Sequence, residues 1–370
     1  MKNFELYVSY LICNQMFDIT NNLRLTADVI EIEKNSKGQI GIAIGGGSPI
    51  CPCLYVVQIF ENTPAKKNKL IGLGDEILAV NGESVKGLEK AEVASLIKQS
   101  QGPIKISVNR LQFDSEKVSP TIDILMKKFK HRFVASIDDD TADAMGLSRA
   151  ILCNDVIAKL QEQLDSNQKF YKNLIKKSEE MVKCYHFISD TQNGIGCVFS
   201  ELAIKEVTPM ESVIQSSNNF SGLSNVYKHL SADHNSFAEK LEALVRALKC
   251  HAEAAIPDVH QTLKKYLDAK YEYLAYCLRV KELEDEEAEY GILHEHLSRM
   301  QMGNYEYRFM LRYREQSREN FLEKRKAVAV KIELLDERHG IRELALQLKN
   351  LINEMKKMHM KSREEISRIL

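Results

Sequence analysis

Leu73-Gly74-Asp75-Glu76-Ile77-Leu78-Ala79-Val80-Asn81-Gly82 decides the fold of the first third of this 370-residue chain. A glycine-broken turn leads into a short apolar strand. The strand ends on Asn-Gly, the pair that most readily adopts the left-handed backbone of a two-residue hairpin turn. Upstream, Val29-Ile30-Glu31-Ile32 alternates, Ile40 to Ile44 is short and apolar, and Leu54 to Phe60 runs on as a third strand pattern. Gly45-Gly46-Gly47, Pro52, Pro64 and Gly72 supply turns. One short helix is expected downstream, from Leu88 to Gln99. The pattern predicts an antiparallel β-barrel with short helices over residues 26–111, after an N-terminal extension of residues 1–25.

From about Thr141 the period changes. Apolar residues recur every three or four positions among Lys, Glu, Leu and Gln, with little Pro or Gly, which is the pattern of long amphipathic helices. Three are expected. The first starts near Ala142, capped by Asp140 or Thr141, and runs toward Ile188; the second spans Phe237 to Glu289; the third starts near Asn304. Leu344, Leu348, Leu351, Met355 and Met358 step by four, three, four and three, as a coiled-coil seam does. Pro257 falls inside the second helix and should bend it, since it removes a hydrogen bond and crowds the preceding turn. The fold class is therefore multidomain α+β, a β domain followed by an elongated all-α bundle over residues 141–360, with residues 361–370 as a C-terminal end. Between the two lies a linker, residues 112–140, in which Ile122 to Val134 reads as a basic amphipathic helix suited either to a membrane surface or to packing on a neighbouring domain.

The totals narrow the function. With 51 basic and 52 acidic residues the net charge is near zero, so an anionic partner must be met by a local patch. No basic stripe with interleaved aromatics argues for nucleic acid. Eight scattered cysteines lack the dense spacing of a disulfide scaffold and fit a reducing, cytoplasmic setting. The longest apolar stretch, Leu6 to Phe17, is broken by Ser9, Asn14 and Gln15 and falls short of the roughly 20 residues that span a bilayer. It also lacks a signal peptide's basic start and small-residue cleavage site. No Walker loop, HExxH or nucleophile elbow is present, His294 and His296 lie on opposite helix faces, and no enzyme is expected.

A glycine between apolar residues at a strand start, as in Gln39-Ile40-Gly41-Ile42, lets successive backbone N–H groups turn outward into a small anion nest that fits a carboxylate. Together with Leu73–Gly82 and Lys90-Ala91-Glu92-Val93-Ala94-Ser95-Leu96-Ile97, this segment resembles a PDZ domain. The resemblance implies that Ile40, Gly41 and Ile42 hold the terminal carboxylate of a peptide added as a strand beside Ile42 to Ile44. Lys34, Ile44, Lys90, Val93, Ala94 and Ile97 then line the groove. Small aliphatic C-termini should be preferred. Lys90, where many such domains carry histidine, implies relaxed choice two residues before the end. Cys51-Pro52-Cys53 offers two thiols to a zinc ion or to redox chemistry, yet a closed zinc site needs four ligands, and an exposed apolar turn is the plainer reading.

Ala142 to Asp155, Ala255-Ile256-Pro257-Asp258, Leu263-Lys264-Lys265-Tyr266-Leu267-Asp268 and Gly303-Asn304-Tyr305-Glu306-Tyr307-Arg308 resemble the PDZ-BAR scaffolds of the protein-interacting-with-C-kinase family. So do Gly45-Gly46-Gly47 and Cys51-Pro52-Cys53. That resemblance implies a BAR three-helix bundle forming a crescent homodimer, cytoplasmic and peripheral to perinuclear, vesicular or synaptic membranes. It also implies cargo of receptors, transporters and kinase C, and partners among actin-regulating proteins, with no cofactor required. By position, the residues facing anionic phospholipid are Lys264, Lys265, Lys270, Arg279 and Lys281, each worth on the order of 1 kcal/mol near an anionic leaflet. Leu263, Leu267, Leu274 and Leu278 form the helix seam between the two basic flanks. The acidic run from Glu282 to Glu289 opposes such a surface. The family's usual start is matched at Met16-Phe17-Asp18, so residues 1–15 stand apart, and its acidic N-terminal segment and acidic tail are not matched. A soluble dimeric coiled-coil scaffold without lipid binding is the alternative.

Overall fold

The computed structural model describes residues 24–112, 120–135, 156–205, 211–293, 297–339 and 341–367. The expected helix start near Ala142, residues 1–15 and the two histidines 294 and 296 lie outside them. The chain divides into two compact units, one built from the β-sheet, the linker helix and Tyr266–Lys324, the other from Leu152–Lys265 and Arg325–Leu370.

In the first unit the strands are β1 (Arg24–Ile32), β2 (Ile42–Gly46), β3 (Leu54–Ile59), β4 (Glu76–Val80), β5 (Glu83–Ser84) and β6 (Ile104–Gln112). All pair antiparallel in the order β1-β6-β4-β3-β2, with β5 on β4. The sheet is an open path rather than the closed barrel expected, with β1 and β2 at its edges. Alternation sets the register: Ile30 and Ile32 face Ile106 and Ile104, all buried, while Glu31 is exposed. Asn81 and Gly82 both take positive φ and turn the hairpin between β4 and β5 as expected.

Helix α1 (Pro64–Asn68) occupies what the sequence suggested was only a turn, and α2 (Lys90–Gln99) begins on a capping box. There Glu92 accepts from the Glu89 N–H at 2.8 Å. The linker helix α3 (Ile122–Val134) is capped by Thr121, whose hydroxyl accepts from Ile124 N–H.

Leu54, Tyr55 and Val56 are all buried, breaking the period of two. Both faces of β3 are covered, one by the core of the sheet and the other by the start of the long helix α8 (Tyr305–His339). The Asn304 amide donates to the Tyr55 hydroxyl at 2.8 Å, and the Tyr307 ring stands edge-on to Tyr55 at 6.2 Å.

The second unit is helical. Helices α4 (Val156–Lys205) and α5 (Glu211–Lys249) are antiparallel, because their partners recede from the connection in opposite directions: Gly196 with Ser224, Ser189 with Ser231, Glu179 with Lys249, Gln168 with Ala252. Small residues let the backbones approach. The helix expected to start at Phe237 instead begins at Glu211 and passes through a π-helical turn, Cys250–Ala255, into α6 (Ile256–Leu293). Pro257 has no N–H for the helical ladder, and the widened turn just before it accommodates that loss. A four-residue helix, α7 (Ser298–Gln301), precedes α8. The last helix, α9 (Ile341–Ser367), turns Leu344 and Met358 of the expected seam inward, with Leu348, Leu351 and Met355 half-buried. Leu344 joins a core of Tyr171, Ile175, Leu241, Leu244 and Leu248. Among the described residues no helix is long and apolar enough to cross a membrane.

Candidate functional site

The groove lies between edge strand β2 and helix α2. Phe60 N–H donates to the Gly41 carbonyl at 2.9 Å, which makes Ile42 and Ile59 a non-hydrogen-bonded pair. The N–H and C=O of Ile42 therefore face the open edge. Ala65 N–H holds the Ile40 carbonyl at 3.0 Å, and among the described residues the amides of Ile40 and Gly41 donate to no backbone carbonyl. Besides the edge-facing Ile42 N–H, the N–H groups of Ile40 and Gly41 are thus not taken up by backbone carbonyls among the described residues. Gly41 has φ +88°, and a Cβ there would stand 2.1 Å from Thr63, so only glycine fits.

Opposite this cradle, Val93 and Ile97 sit one turn apart on α2, buried with Ile40, while Ile42 and Ile44 are half-buried and Lys90 and Ala94 exposed at the helix start. These residues come together as one groove. Lys34 is placed differently from the other groove residues. Its ammonium donates to the carbonyls of Lys98, at 3.1 Å, and Ser100, and so closes the C-terminal end of α2.

Cys51 is buried rather than displayed on an exposed turn, and its sulfur lies 3.6 Å from that of Cys53. The hydrogen bond from Cys53 lowers the Cys51 pKa, while Cys53 is pushed up by that same bond and by burial. The Cys53 thiol also meets the Gly303 carbonyl at 3.5 Å. No group of three or more metal-ligating side chains occurs among the described residues, so the pair supplies two of the four ligands a closed zinc site needs.

The helical part of this unit locks onto the sheet through residues the sequence did not single out for that role. Arg308 is fully buried. Its Nε donates to the Gly74 carbonyl at 2.7 Å, and its guanidinium lies 4.7 Å from the Tyr305 ring centroid. Gly74, φ +77°, admits this approach, since a Cβ would stand 2.6 Å from the Arg308 carbonyl. One turn on, Arg312 Nε donates to the Leu73 carbonyl at 3.0 Å and its Nη2 pairs with Asp75 at 2.6 Å. Burial raises the Asp75 carboxyl above its ordinary value against the pull of Arg312.

Helix α3 turns Lys127 and Lys128 toward α6, while Lys130 and Arg132 are exposed. Lys127 pairs with Glu282 at 3.0 Å, and Lys128 with Asp268 at 2.9 Å and Glu272 at 3.2 Å, all on α6. The acidic run is thereby partly neutralised. Ile124 and Val134 of α3 are buried, whereas Leu125, Met126 and Phe129 are 49, 66 and 69% exposed. Of the five cations expected at lipid, Lys264 and Lys265 are exposed in the helical unit. In the other unit Lys281 is exposed and Lys270 half-buried. Arg279 is taken up by carboxylates: Glu306, Glu282 at 3.4 Å and Asp123 at 3.8 Å.

Comparison with known proteins finds two families along the chain. The PDZ domain family matches residues 29–109 and the Arfaptin-like domain family matches residues 125–366. A curated protein named PRKCA-binding protein, from Homo sapiens, is 40% identical over 330 residues, covering 89% of this chain and 78% of its own length. The Mus musculus protein of that name is 39% identical over the same shares. The Patj homolog of Drosophila melanogaster is 29% identical over 111 residues, 28% of this chain and 12% of its own.

Proposed function

Because the chain belongs to the family of the PRKCA-binding proteins, uniting a PDZ domain with an Arfaptin-like domain, it is a scaffold, and we propose that it carries peptide cargo to membranes. Its groove takes the free C-termini of membrane receptors, transporters and a protein kinase C, the last in keeping with the relatives' name. The observation that supports this reading is the open edge of β2 beside Val93 and Ile97 of α2, where the amides of Ile40 and Gly41 donate to no backbone carbonyl among the described residues and that of Ile42 lies on the edge side. Backbone pairing supplies the affinity and the terminal carboxylate fixes the register.

The Arfaptin-like domain dimerises and rests on curved anionic membrane, directing trafficking and endocytosis of the cargo. Exposed Phe187, Val198 and Ile204 on α4 support dimerisation. Exposed Leu125, Met126 and Phe129 of α3 and exposed Lys281 support membrane contact by the first unit, and exposed Lys264 and Lys265 support it, separately, for the second. A scaffold without direct lipid binding is the second reading, favoured by the capture of Arg279, Lys127 and Lys128 by carboxylates.

One experiment separates them. The full chain is mixed with small anionic vesicles and a labelled peptide ending in an aliphatic residue, at low and high salt, and pelleted. Co-pelleting of chain and peptide, lost at high salt and absent for the amidated peptide, is expected. Peptide binding with no pelleting of the chain would select the lipid-free scaffold, and failure of the free-acid peptide to bind at all would overturn the groove reading.

A further inference from the structure

A second cavity lies on the side of β3 and α1 away from the peptide groove. It is a cleft of about 1040 Å³ between those elements and α6 and α8 of the same unit, as large as the roomier small-molecule sites. Its floor is apolar, formed by Val57, Ile59, Ile71, Leu73 and Tyr273. Its rim is charged, and most of the charges satisfy one another. Lys66 pairs with Glu315 at 2.9 Å and Glu61 at 3.5 Å, Arg318 pairs with the same two acids, and Arg312 pairs with Asp75.

Two rim cations stand outside this network. Lys69, which ends α1 in the left-handed conformation, is exposed. Arg314 is half-buried on α8 with no ion-pair or hydrogen-bond partner for its guanidinium among the described residues. Arg314 acts on the Cys277 thiol and the Tyr273 phenol, both in the cleft wall, lowering the pKa of each against the burial that raises it. Glu319, the remaining rim acid, acts on Lys66. A half-buried guanidinium without an anion is costly unless one is supplied from outside.

We propose that this cleft binds a single-chain anionic amphiphile, its carboxylate or phosphate head held by Arg314 and Lys69 and its apolar chain laid along Ile59, Ile71 and Tyr273. The head contributes charge-assisted hydrogen bonds to a planar fork and a mobile ammonium. The chain displaces water from the apolar floor, and each methylene buried is worth roughly a fourfold gain in affinity. Such a ligand touches the sheet and α8 at once, so it tightens their contact.

Calorimetric titration of the full chain with dodecanoate, dodecyl phosphate, dodecanol and inorganic phosphate, each below its aggregation limit, tests this. One saturable site is expected for dodecanoate or dodecyl phosphate, whichever head fits, at least tenfold weaker for dodecanol and absent for inorganic phosphate. Arg314→Gln and Lys69→Gln should each weaken the preferred amphiphile about tenfold without lowering the unfolding temperature, since neither side chain has an ion-pair or hydrogen-bond partner to lose among the described residues. As a reading independent of the variants, bound amphiphile should slow alkylation of Cys277 while leaving that of exposed Cys184 unchanged. Equal binding of dodecanol, binding of inorganic phosphate alone, unchanged affinity in both variants, or unprotected Cys277 would each overturn the proposal.

Discussion

Arg312 Nη2 and Asp75 Oδ1 meet at 2.6 Å across 237 residues of chain, and Asp75 also accepts from the N–H groups of Gly72, at 2.7 Å, and Leu111, at 3.0 Å. One buried carboxylate thus closes the turn before β4, anchors β6 and receives the helix α8. Replacing Arg312 with Leu leaves that charge without its counter-ion. The expected cost is about 3–5 kcal/mol, read as a lowered urea midpoint, with Asp75→Asn added to Arg312→Leu recovering part of it. Equal midpoints for parent and single variant would show the pair to be idle.

The same carboxyl sets a pH dependence. Asp75 is raised above its unfolded value by burial, so its contribution to stability is fullest below the unfolded carboxylate range and declines as pH rises through the folded value. Glu354 has the opposite sign. Lys240 and Lys357 hold it down at about 2, so its contribution is present above the unfolded range and fades as pH falls toward that value. Urea midpoints from acid to neutral pH should lose their descending limb in Asp75→Asn and part of their acid-side rise in Glu354→Gln. Because Glu354 is exposed, only the second effect should vanish in high salt.

Gly41→Ala should abolish peptide binding. The added methyl collides with Thr63 in a backbone conformation that alanine resists, so the backbone of Ile40 to Ile42, on which the proposed carboxylate site rests, must shift. Fluorescence anisotropy should register at least a tenfold weakening, whereas Lys105→Gln, at an exposed position of β6 outside the groove, should leave affinity within about twofold.

Phe129→Glu tests the outward face of α3. The side chain is exposed, so unfolding should shift by less than about 0.5 kcal/mol. Vesicle co-sedimentation should fall sharply. Retained pelleting would move the membrane contact to Lys264, Lys265 and Lys281.

Tyr55→Phe removes the acceptor of the fully buried Asn304 amide and should cost about 1–3 kcal/mol, although the ring packing against Tyr307 is kept. A loss below about 0.5 kcal/mol for Tyr55→Phe would place a different acceptor on the amide.

The strand pattern, the Asn81-Gly82 hairpin, α2 and the Leu344–Met358 seam were legible because each depends on residues close in sequence. What was missed depends on distant ones. Tyr55 reads as the outward residue of an edge-side strand until α8, some 250 positions later, covers it. Arg308 and Arg312 read as ordinary helix charges, and nothing local marks the carbonyls of Gly74 and Leu73 as their acceptors. The polarity of α3 was legible but not its orientation, since Lys127 and Lys128 found carboxylates on α6. Arg279, expected at a lipid surface, was claimed by Glu306 and its neighbours for the same reason. The early start of α5 at Glu211 escaped notice because Ser and Asn, weak helix formers, crowd its first turns.

The Ala65 N–H that holds the Ile40 carbonyl belongs to α1, and the next residue, Lys66, is paired with Glu315 of α8. The carboxylate cradle and the helix that braces the sheet are therefore joined by a short, continuous chain of bonds. Linkage then imposes a symmetry. By whatever factor rupture of the Lys66–Glu315 pair changes the affinity for a peptide, a bound peptide must change the strength of that pair by the same factor.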